Sequence, residues 1–155
     1  MAFRVQMTRF RWLILTLLMS LGFAGALRAD QVRVFTQDGV ALGGYDVVIY
    51  FTENRAALGD ARHAVMWKGA TWYFASPETM SSFEMNPKAY APQYGGFCAY
   101  AMSEGRLADP SPTSFTILDG KLYLNDGPGA QSEWSSAAEA NIAAANAHWK
   151  AMLGR

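Results

Sequence analysis

The dipeptide Asp119-Gly120 constrains this chain more than any other pair of residues. It separates Phe115-Thr-Ile-Leu118 from Lys121-Leu-Tyr-Leu124. A two-residue Asp-Gly loop takes backbone angles that match the twist of its flanking strands, so the segment predicts an antiparallel hairpin. A second hairpin is predicted where His63–Trp67 and Ala70–Phe74 flank Lys68-Gly69. A short strand over Val32–Phe35, ended by the turn pair Asp38-Gly39, is expected ahead of both.

The helix signals lie between and after these hairpins. In Ser76-Pro77-Glu78 a serine can accept free backbone N–H groups, a proline suits the first helical position, and a glutamate suits the dipole. Met80 and Phe83 then share one face, and Asn86-Pro87 stops the helix while opening a short turn through Tyr90. Ser136-Ala-Ala-Glu139 has capping-box spacing, which predicts the start of the last long helix after a shorter turn around Trp134. Ile142, Ala145, Trp149 and Met152 give that helix one apolar stripe. Val47–Phe51 fits a buried strand or a helical turn, and periodicity alone does not decide between them. Glu53–Arg62 reads as an exposed connection, Ala108–Thr113 as a loop, and Gly127-Pro-Gly129 as punctuation. The expected class is α+β: a small single domain with two β-hairpins, short helices and a C-terminal covering helix.

The N-terminus has a different character. Arg4, Arg9 and Arg11 precede an apolar run from Trp12 to Leu27, and no acidic residue occurs before Asp30. A basic start, a short apolar centre and small residues at its end describe a signal peptide over residues 1–29. The run is shorter than the roughly 20 residues a membrane span requires. Cleavage after Ala29 would leave residues 30–155 as the exported domain, periplasmic or secreted, with no stable membrane anchor. Losing Arg4, Arg9, Arg11 and Arg28 leaves nine Lys and Arg against thirteen Asp and Glu, a formal net charge of −4. Without a basic cluster, nucleic acid is a poor partner.

The richest segment is Tyr90-Ala-Pro-Gln-Tyr-Gly-Gly-Phe-Cys98-Ala-Tyr100, which holds the sole cysteine and three of the seven tyrosines. Gly95-Gly96 permits unusual backbone angles and close approach of another group. If a helix begins just after that pair, Cys98 lies in its first turn, where free N–H groups favour a thiolate. The other reading is a small buried hydrophobe under a glycine turn. A lone cysteine cannot form an internal disulfide, so in an oxidising compartment it is hidden, modified, metal-bound or reactive. His63 and His148 are the only histidines and have no metal-pair spacing. Asp46 fits a turn or helix cap, and Met66, Met80, Met85 and Met102 fit core filling, with thioether ligation of Cu(I) as the alternative.

Gly44-Tyr45-Asp46, Lys68–Ser76, Phe83 with Asn86-Pro87 and Tyr90, Tyr94–Tyr100, Asp119–Asn125 and Trp134 resemble the exported YHS-domain proteins, from about Gly43 to Trp149. The resemblance implies a YHS-like domain. Other YHS and TRASH-type domains are associated with metals through a Phe-Cys-Ser-x-x-Cys segment. Here that segment reads Phe74-Ala75-Ser76-Pro77-Glu78-Thr79, without either sulfur, so the metal role is not carried over. In the branch it resembles, some relatives carry selenocysteine in the Gly-Gly-aromatic-Cys context matching Cys98, which implies thiol chemistry at that position. The function placed first is therefore a thiol-centred redox protein with Cys98 as the reacting residue and Asp46, Tyr94, Gly95, Gly96 and Tyr100 as pocket or support. No cofactor is implied, and the partner would be a small molecule or a thiol protein. The alternatives are a soft-metal binder, or a non-catalytic domain whose tyrosine-rich segment lines a pocket.

Overall fold

Three two-residue turns pair a non-glycine residue at positive φ with a following glycine: Asp38-Gly39 (51° and 81°), Lys68-Gly69 (50° and 74°) and Asp119-Gly120 (49° and 69°). Positive φ at both central positions is the hairpin geometry that matches strand twist. In the computed structural model, which describes residues 33–154, each turn joins antiparallel strands. They join β1 (Thr36–Gln37) to β2 (Val40–Ala41), β3 (Asp60–Trp67) to β4 (Ala70–Phe74), and β5 (Ser111–Leu118) to β6 (Lys121–Asn125). The first four form one sheet in the order β1-β2-β4-β3, with β2 parallel to β4, while β5 and β6 form a separate pair. The expected leader over residues 1–29 lies outside the described residues.

Six α-helices accompany these strands among the described residues, making the domain α+β. The ambiguous run is helical, as α1 (Val47–Glu53), because the Asp46 carboxylate caps its start. Helix α2 (Pro77–Met85) opens with a full capping box: Ser76 Oγ accepts the Thr79 N–H and Thr79 Oγ1 accepts the Ser76 N–H, both at 3.3 Å. Then follow α3 (Pro87–Tyr90), α4 (Ala99–Ser103), α5 (Gly127–Ser136) and α6 (Ala138–Leu153).

Five boundaries differ from expectation. Residues 33–35 form no strand, because the Phe35 N–H donates to the Gly95 carbonyl (2.9 Å) and pairing begins only at Thr36. Val32 lies outside the described residues. Strand β3 starts at Asp60, inside the expected connection, and β5 takes in Ser111–Thr113 across a register shift that accommodates Pro112. Gly127-Pro-Gly129 opens α5, where proline's missing N–H costs nothing. Ser136 ends that helix, its hydroxyl donating back to Glu133 O (2.8 Å), so α6 starts at Ala138 without a side-chain cap.

Two apolar clusters share strand β6. Leu122 and Leu124 belong to the first, with Val47, Val48, Tyr50, Trp72, Phe74 and Phe83. Tyr123, between them, belongs to the second, with Tyr94, Met102, Trp134 and Ala145. The period-two alternation of a strand sends neighbouring side chains to opposite faces, so one five-residue strand is buried on both. Phe83 anchors the first cluster, with ring centroids 5.5 Å from Trp67, 5.3 Å from Trp72 and 5.0 Å from Phe74. Such contacts fasten α2 onto the β3–β4 hairpin. The expected stripe of α6 does cover a core: Ile142, Ala145, Trp149 and Met152 all pack in or against the second cluster.

Candidate functional site

The glycine-tyrosine segment folds into a 3-10 turn over Gln93–Gly96, within which Tyr94 and Gly95 take left-handed angles (φ 54° and 64°). The chain leaves this turn extended at Phe97, and Cys98 becomes the N-cap residue of α4, one position before the first helical turn. Its Sγ accepts two backbone N–H groups, from Ala101 at 3.4 Å and from Asp126 at 3.2 Å. Asn125 Oδ1 lies 3.9 Å away and also accepts the Tyr100 N–H at 3.1 Å. The cysteine backbone is held as well, with its N–H on Ala108 O and its carbonyl accepting from Met102 N–H, both at 3.0 Å. Cys98 is 1 % exposed, so its sulfur fits both the capping geometry and the buried environment considered from sequence.

The other residues named from sequence divide around this point. Asp46 is wholly buried and bridges backbone, with Oδ1 on Val48 N–H and Oδ2 on Ala75 N–H, each at 2.8 Å. It is a helix cap rather than a neighbour of the sulfur. Tyr100 packs its ring against the second cluster, and Gly96 lies buried against Leu42 and Pro92. His148 Nδ1 sits 3.1 Å from Met102 O. The four methionines do not gather: Met80 packs on the first cluster, Met102 lies in the second, and Met66 and Met85 are exposed. Among the described residues no three His, Cys, Asp or Glu side chains form a metal-ligating group. Asn125 was missed as a contact of Cys98, because only the parallel bridge between Cys98 and Leu124 brings β6 alongside that segment.

Tyr94 and Gly95 instead line an open cleft of about 220 Å³ on the other side of the turn. Trp67 and Lys68 come from the β3–β4 hairpin, Lys88 from α3, Gln93 from the turn, and Asn146 and Trp149 from α6. Lys68 Nζ rests 4.7 Å from the centre of the Trp67 ring, and the Tyr94 and Trp149 rings meet edge-on at 6.3 Å. Burial, with Tyr123 beside it, pushes the Tyr94 phenol well above the ordinary tyrosine range. The neutral hydroxyl donates to Asn146 Oδ1 at 3.1 Å, tying α6 to the turn. Trp149 appeared in sequence only as a stripe residue and Lys68 only as part of a turn. Their convergence depends on α6 and the β3–β4 turn bordering one cleft, which no local spacing encodes.

Fold and site together define an α+β domain with a sequestered cysteine and a basic, aromatic cleft. No family model, curated protein or solved structure matches the chain.

Proposed function

We propose that this chain is an exported YHS-like domain that binds a small molecule in the cleft lined by Tyr94 and Gly95. The observation that carries the reading is the convergence of four separate segments on one concave surface with indole, phenol, amide and ammonium groups. Aromatic walls with a few convergent polar groups are the usual composition of small-ligand sites. At about 220 Å³ the cleft is smaller than the roughly 300–1,000 Å³ typical of drug-sized ligands, so its occupant would be metabolite-sized. Chemical-shift mapping with a set of single- and double-ring aromatic compounds tests this. The expected perturbations fall on Lys68, Gln93, Gly95 and the Trp149 indole and leave Asn125 and Asp126 unchanged. Perturbations confined elsewhere, or none at millimolar ligand, would sink it.

A second reading, thiol chemistry at Cys98, is favoured by the two backbone N–H groups aimed at Sγ, which would hold a thiolate. The 1 % exposure restricts its co-reactants to small oxidants or to encounters during local opening. Folded protein is therefore expected to react with a bulky aromatic disulfide about a hundredfold or more slowly than denatured protein. Comparable rates in the two states would show a thiol open to partner proteins and would return the redox reading to first place.

A further inference from the structure

We infer that the cleft is selective for a small aromatic carboxylate, an inference that rests on the binding reading above and narrows it to one ligand class. The charges point to an anion. Lys68 and Lys88 reach the cleft from two separate elements, and no aspartate or glutamate lines it. Arg55, Arg62 and Arg106 each pair with a carboxylate two residues away, whereas neither cleft lysine enters an ion pair among the described residues. Two unpaired ammonium groups beside low-dielectric aromatic walls concentrate positive potential at the mouth.

The walls point to a planar ligand. Trp67, Tyr94 and Trp149 contribute rings, and flat ligands gain most from offset or edge-on contact with such surfaces. Gln93 and Asn146 add amide groups that can donate to a carboxylate beside the two lysines. The donor set suits a single negative charge. Lysines act as point charges on flexible stems, and the lining holds no arginine fork of the kind that grips phosphate bidentately.

The test is calorimetric titration with two near-isosteric probes, indole-3-acetate and indole-3-acetamide, at low ionic strength. The carboxylate is expected to bind about tenfold tighter than the amide. In the Lys68→Gln/Lys88→Gln double variant that preference is expected to fall below about threefold, with the loss falling mainly on the carboxylate. Both side chains are exposed, so the substitutions leave the fold intact. Equal binding of the two probes would overturn the anion selectivity while leaving a cleft that binds aromatic molecules. A carboxylate preference that survives the double variant would overturn the assignment to these lysines. Absence of binding by either probe at millimolar concentration would overturn the inference and the binding reading together.

Discussion

Replacing Gly95 with alanine is expected to destabilise the protein by about 2–5 kcal/mol, a large share of the roughly 5–15 kcal/mol that holds a domain folded. Two effects add. The residue sits at φ +64°, where a side chain costs about 1–2 kcal/mol. A Cβ there would also press into the Arg33 carbonyl oxygen and come within 3.3 Å of the Trp149 ring. The carbonyl belongs to backbone held in place by the neighbouring Phe35–Gly95 hydrogen bond, so it cannot swing aside as a side chain would. Overpacking of this kind adds about 1–3 kcal/mol. Gly120→Ala provides the control, because Gly120 also has positive φ (+69°) but nothing within 4 Å of its would-be Cβ. It should lose only the backbone contribution, about 1–2 kcal/mol. Gly96→Ala should fall between the two, since its main obstacle is the movable end of the Leu42 side chain. Urea unfolding of the three variants checks the order. Equal losses at positions 95 and 120 would show that the 33–35 segment yields freely.

Asp46→Ala is expected to cost about 2–4 kcal/mol. The carboxylate holds the Val48 N–H at the start of α1 with one oxygen and the Ala75 N–H after β4 with the other. The Asp46 N–H donates in turn to Ala57 O at 2.9 Å, so one wholly buried residue joins three segments of the first cluster. Alanine would leave both donors without their acceptor and would remove the cap. Asp46→Asn separates charge and shape from hydrogen-bonding capacity. The carboxamide has one acceptor oxygen, and its NH₂ would have to face a backbone donor, so a loss of about 1–3 kcal/mol is expected despite the matched size. The midpoint of urea unfolding, with an unchanged slope, measures both. A variant as stable as the parent would mean that water replaces the carboxylate at both donors.

Much of this architecture was legible locally. The three X-Gly turns, the Ser76 cap and the stripe on α6 are written in short-range chemistry, where a few adjacent residues set backbone angles or one face. Asp46 was readable as a cap for the same reason. Its second bond, to Ala75, was not, because that residue lies 29 positions further along the chain. Misplaced boundaries also have local causes that compete with tertiary ones. Ser136 and Glu139 have the spacing of a capping box, yet Ser136 closes α5 and Asn141 Nδ2 donates to Trp134 O (3.0 Å) across the break.

The sequence by itself determined two of the three hairpins, the α+β class, and the unusual backbone at Gly95-Gly96. Turn chemistry and amphipathic periodicity act over a few residues and do not depend on what packs against them. Only the tertiary structure decided which face of that segment is accessible. Strand β6 and the start of α5 close over Cys98, with Asn125 and the Asp126 N–H against its sulfur, while Tyr94 and Gly95 turn toward Trp149 and the two lysines. Whether a side chain reaches solvent depends on the placement of elements far apart in the chain, here a β-bridge between positions 98 and 124 and a helix and a hairpin turn that border one cleft. Residue spacing carries no record of that placement, so the same eleven residues could be read as a thiol site or as a cleft wall until the fold placed their neighbours.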